Sequence, residues 1–210
     1  MRAAMLVAVP ALLLVVPGTA VVVDRIAISA GNRVITESEV ELRLRLTAFQ
    51  NGVPPMLTLA ARKDAAGKLL DQKLVEREMG VGHYPRLNEE GRHQVVQAYA
   101  EQYFQSSAVA MALALNDYGL TARDLEDDLA RQEDLLTFLG LRFRPAVQVS
   151  EVDVQAYFRT KTNGQVPLAE MRTQIEKLLT NERADVDLEA WLKDQRKHTK
   201  ITYLDKDLEP

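Results

Sequence analysis

The chain reads as a mainly α, multi-helix protein with a small N-terminal β-hairpin that a C-terminal strand joins. Long stretches rich in Ala, Leu, Glu, Lys and Arg carry apolar residues at helical spacing. Past the first twenty residues the β-prone runs are confined to the two ends of the chain, and Gly, Pro and Asn-Gly breaks separate the helical stretches. With 210 residues, 47% hydrophobic and 27% charged, there is enough chain to bury one sizeable core or two small ones. The formal charge is −4 with both signs interspersed, a distribution that does not point to nucleic acid. The absence of cysteine excludes disulfides, cysteine-ligated zinc, a thiol nucleophile and lipid attachment at an N-terminal cysteine.

The first segment has the grammar of a secretory leader. Met1-Arg2 is a short positive start, Ala3 to Val16 is an uncharged run broken only by Pro10, and Pro17-Gly18-Thr19-Ala20 ends it with small residues. Gly18 and Ala20 occupy the two small positions of a cleavage site, so residues 1–20 are expected to be a signal peptide cut after Ala20, leaving a periplasmic or otherwise exported chain that begins at Val21. The alternative is an uncleaved anchor, because Val21 to Val23 extend the apolar stretch toward the roughly 20 residues a span needs. Pro17-Gly18 would interrupt such a helix.

Two short β-prone runs follow, 24–29 and 33–35, separated by the turn residues Ala30-Gly31-Asn32. Thr36 and Glu39 have the spacing of a capping box and predict a helix over 37–50, although Val40, Leu42, Leu44 and Leu46 alternate with polar residues as a strand would. Asn51 to Pro55 is a break. A helix over 59–79 stops at Gly80, and Asn88 caps another with Val96, Tyr99 and Tyr103 on one face. A short helix over 108–116 ends at Tyr118-Gly119. Thr121 then opens a helix with a stripe of Leu125, Leu129, Leu136, Leu139 and Phe143, closed by Pro145. Ser150 caps a short helix through Phe158. The last helix carries Leu168, Met171, Ile175, Leu178, Val186, Leu188, Trp191 and Leu192, and Ile201 to Leu204 is a β-prone tetrad. A lone strand leaves its backbone groups unpaired, so this one is expected to pair with the hairpin around 26–29 and close the ends of one domain, 21–210.

The order of these pieces resembles the chaperone core of SurA-type periplasmic folding factors, which often accompanies a parvulin prolyl isomerase. The resemblance rests on Val23-Asp24-Arg25-Ile26-Ala27 with Asn32-Arg33-Val34-Ile35-Thr36-Glu37-Ser38-Glu39-Val40, on Leu70 to Val81, on Ser150 to Phe158, and on Gln174 to Leu179 with Leu188 to Lys193 and Ile201 to Leu204. It implies a SurA N-like helical domain in two parts, a core over 21–158 and a return helix and strand over 168–210. Only segment 159–167 separates them, whereas an independent domain needs at least about 50 residues, so the isomerase domain is absent between them. The resemblance therefore implies a chaperone without isomerase catalysis, with unfolded or partly folded envelope and outer-membrane proteins as partners.

Read for chemistry, the sequence points to a non-enzyme with no cofactor. His83, His93 and His198 lack the spacing of a metal site, and Gly80-Val81-Gly82 is too short for a dinucleotide fingerprint. Ser106-Ser107 reads as a turn or cap, and Asp124, Glu126, Asp127 and Asp128 sit at a helix N-terminus where the dipole favours carboxylates. The apolar set Tyr99, Tyr103, Phe104, Met111, Phe138 and Phe143 is either core or an adaptable surface for unfolded chains. Tyr103, Phe104 and Met111 are the candidates for client contact. The expected activity is holding of unfolded proteins, and the alternative is an envelope adaptor or structural protein that uses the same scaffold to bind one folded partner.

Overall fold

The computed structural model describes residues 24–162 and 165–209; the leader expected over 1–20, and Asn163 and Gly164, lie outside them. Strand β1 (Ile26–Ala30) and strand β2 (Arg33–Thr36) form the hairpin. Gly31, at φ +62°, supplies the left-handed residue of its turn and donates its N–H to the Lys200 carbonyl at 3.0 Å. Strand β3 (Ile201–Tyr203) lies antiparallel on the other edge of β1, with Ile28 opposite Tyr203 and Ala30 opposite Ile201, giving the order β2-β1-β3. The ends of the described chain thus meet in one sheet, as the unpaired terminal strand required.

Seven α-helices are found among the described residues. Helix α1 (Glu37–Asn51) starts on the expected box, in which Thr36 Oγ1 accepts from Glu39 N–H and the Glu39 carboxylate accepts from Thr36 N–H at 2.9 Å. It ends on Gly52 at φ +63°. The alternation that imitates a strand has a tertiary cause. Val40 and Leu44 enter a core formed with the sheet and α2 (Leu59–Val81), whereas Leu42, Leu46 and Phe49 enter a second core on the opposite face. A helix sandwiched between two cores shows apolar residues on two faces, which a one-face template mistakes for period two.

The second core is completed by α3 (Glu89–Phe104), α4 (Ala108–Asp117) and the start of α5 (Ala122–Arg142). A third joins the C-terminal half of α2, the end of α5 and helix α7 (Leu168–His198) through Val75, Met79, Phe138, Ala184 and Trp191. Helix α6 (Glu151–Lys161) packs on the N-terminal part of α7, where Val154 and Ile175 are buried. Short 3-10 turns over Arg144–Ala146 and Lys206–Leu208 follow α5 and β3, and Leu208 returns into the first core.

Three local expectations are corrected. Helix α2 runs through Gly80 to Val81 and is capped at Gly82, because the chain turns only where Tyr84 N–H reaches the Met79 carbonyl at 2.9 Å. Leu136 is exposed, and Phe138 is buried instead. Helix α5 changes neighbours midway, from the second core to the third, so its buried face rotates between its halves. Val186 is exposed while Ala184, two positions earlier on α7, is fully buried. Among the described residues no helix is long and apolar enough to cross a membrane.

Candidate functional site

The three sequence-derived candidates do not share one surface. Met111 is 8% exposed and packs in the second core with Leu46, Phe49 and Leu115, so it belongs to the packing and leaves the candidate set. Phe104 is half-buried and stacks on Phe49, ring centroids 6.2 Å apart. Tyr103 is exposed, with its ring 4.7 Å from that of Tyr99. Both tyrosines line a cleft of about 340 Å³ between α3 and α5, together with Leu129 and Gln132. Burial pushes the Tyr99 hydroxyl above its ordinary range, with Tyr103 and Asp128 adding to the effect. Phe138 and Phe143, read as core or surface, are both buried in the third core.

The acidic run resolves into separate tasks. Asp124 forms a capping box with Thr121 at the start of α5. Glu126 and Asp127 both accept from the Arg92 guanidinium of α3, Glu126 at 2.8 Å, and so fasten α3 to α5. Asp128 points inward and is wholly buried, with Arg43 of α1 at 2.9 Å and Arg131 at 3.6 Å. Its Oδ2 accepts from the side-chain amides of Gln50 and Gln132 at 2.9 and 2.8 Å. The dipole reading holds for Asp124; Asp128 is a buried charge that sequence reasoning missed. Its neighbour Asp127 is half-exposed, so adjacency gave no cue, whereas the helical spacing of Leu125, Asp128 and Leu129 places it on the buried face.

The Asp128 pair forms part of the floor of a larger cleft, about 510 Å³, bounded by α2, α5 and α7 with Arg43 reaching in from α1. Its walls are apolar: Val75 and Met79 from α2, Leu135 from α5, Leu188 and Leu192 from α7. Polar groups line the rest. Asp71 is held by Arg196 at 2.7 Å, Asp134 accepts from Leu87 N–H at 2.7 Å, and Gln72 joins Arg43 to Glu76 with hydrogen bonds of 2.7 and 2.8 Å. Burial raises the Asp71 carboxyl against the opposing pull of Arg196. Gln132 lines both this cleft and the tyrosine cleft.

The histidines stand apart from both clefts. His83 is in the turn after α2, His93 is exposed on α3, and His198 sits at the end of α7 beside Asp194. Among the described residues no group of three or more His, Cys, Asp or Glu is arranged to hold a metal. The larger cleft offers apolar area framed by hydrogen-bonding groups, an arrangement suited to binding. Comparison of the chain with models of known protein families finds no match, and comparison with curated proteins finds none either.

Proposed function

We propose that the chain is an exported holdase-type chaperone that binds unfolded envelope or outer-membrane proteins without chemical change. The observation that carries this reading is the cleft between α2, α5 and α7, whose walls present the aliphatic side chains of Leu135, Leu188 and Leu192. An open apolar cleft accepts varied side chains without demanding one partner shape, which is what broad, transient binding requires. The leader-like start, 1–20, and the sequence resemblance to SurA-type chaperone cores support the same reading. Leu135 is an exposed wall residue, so Leu135→Ser should weaken holding while leaving the melting temperature close to the parent's. The decisive measurement is suppression of aggregation of several unrelated unfolded proteins at near-stoichiometric amounts. Failure with all of them would overturn the reading.

A second reading rests on a different observation. Helix α4 exposes Val109 and Leu113, 72% and 64%, one turn apart on its outer face. Such a stripe suits an adaptor docked on one folded partner. Recovery from envelope extract of a single folded protein, lost on Val109→Ser with Leu113→Ser, would favour the adaptor.

A further inference from the structure

The wall that α7 gives to the cleft carries Asp185, Leu188, Glu189 and Leu192, at spacings that put them on one face. Asp185 and Glu189 are exposed, one turn apart, and have no ion pair or hydrogen bond among the described residues, unlike Asp71, Asp128 and Asp134 in the same cleft. Like charges at this spacing repel and destabilise a helix slightly when nothing neutralises them. The cations of the cleft are already engaged: Arg43 and Arg131 with Asp128, and Lys68 with Asp64 at 2.8 Å. Six carboxylates thus line a cleft with three basic groups and Arg196 beside it on Asp71, and the two carboxylates with neither ion pair nor hydrogen bond among the described residues flank Leu188 beside an apolar wall. At the floor, the fully buried Asp128 keeps Oδ1 without a hydrogen bond, although its ion pair with Arg43 remains.

We propose that this cleft takes an extended polypeptide segment in which apolar residues are interspersed with lysine or arginine, the apolar side chains entering between Leu135, Leu188 and Leu192 and the cation meeting Asp185 and Glu189. The occupant follows from charge complementarity, since a neutral apolar segment would fill the walls but leave both carboxylates unpaired, and an acidic one would meet repulsion. The inference rests on the chaperone reading and narrows its clients to apolar segments carrying positive charge.

The test is fluorescence anisotropy of three labelled peptides on the full chain, identical in apolar residues and carrying Lys, Gln or Glu between them. The Lys peptide should bind tightest, the Glu peptide weakest, and the difference should shrink as salt rises. Asp185→Asn with Glu189→Gln should reduce the Lys-over-Gln preference by about 3- to 10-fold, the scale of two exposed ion pairs, with helicity and melting unchanged. Equal binding of all three peptides, or a preference that survives the double variant, overturns the charge assignment while leaving a holdase in place. Peptide binding that ignores Leu135→Ser moves the site elsewhere and also overturns it. Sedimentation showing a dimer that the double variant dissolves, without peptide binding, makes the occupant a second copy and overturns it too. Absence of aggregation suppression by the parent, by contrast, strikes the chaperone reading itself.

Discussion

A carboxylate taken wholly out of water needs a partner that stays with it, and Asp128 has Arg43, whose side chain is itself largely buried. Removing Arg43 leaves the buried charge with only the more distant Arg131, at 3.6 Å, as a cation. Arg43→Ala should therefore lower stability by about 3–5 kcal/mol in chemical denaturation, more than Asp128→Asn, which keeps an acceptor for the Gln50 and Gln132 amides. Equal losses from the two changes would show that the pair is not the source of the effect. Met111 and Tyr103 give a second contrast at this scale. Met111→Ala should cost about 2–5 kcal/mol because it opens a cavity in a packed core, whereas Tyr103→Ala should stay within about 1 kcal/mol. A large loss at Tyr103 would place that ring in the core.

At the scale of elements, α6 is held to α7 by ion pairs as well as by packing. Val154 is its one buried residue, and its first turn is tied to α7 by Glu151 with Arg172 and by Asp153 with Arg183. The Arg183 guanidinium and the Ser150 N–H and hydroxyl hold the Asp153 carboxyl down at about 2. Arg172, then Gln155, lowers that of Glu151. Because these folded values lie below those of an unfolded chain, the stabilisation is complete above about pH 5 and is lost as pH falls toward 2. Hydrogen exchange should show α6 loosening from α7 in that window before the sheet opens, and Asp153→Asn should remove much of the dependence. Loosening with the same pH profile in the variant would assign the transition to other groups.

For the whole molecule, the closing of the ends is the structural commitment. Strand β3 pairs with β1, Leu204 and Asp205 N–H both donate to the Ala27 carbonyl, and Leu208 plugs the first core at 2% exposure. Deleting residues 201–210 removes that pairing and a buried leucine worth about 1.5–3 kcal/mol. Against a margin of about 5–15 kcal/mol, the truncated chain should melt well below the parent. An unchanged melting temperature would show that the sheet closes without β3.

The sequence by itself determined the elements and where the capped helices start, because those causes are local; α2 and α6 run past their expected ends. Thr36, Asn88, Thr121 and Ser150 cap the helices that they predict, Gly31 turns the hairpin, and the unpaired terminal strand needed a partner that the hairpin alone could give. Which apolar residues face which core was decided by tertiary structure. Helices α1 and α5 each serve two cores, so a single periodic stripe misplaced Leu136 and made α1 resemble a strand. The cleft was illegible for the same reason. Arg43, Met79, Asp128 and Leu188 lie on four helices far apart in the chain, and nothing in their local surroundings shows that packing brings them to one wall and floor. Tyr103 and Phe104 could be named from composition, but only the fold separates an exposed ring from one stacked on Phe49, because burial depends on what arrives from elsewhere in the chain.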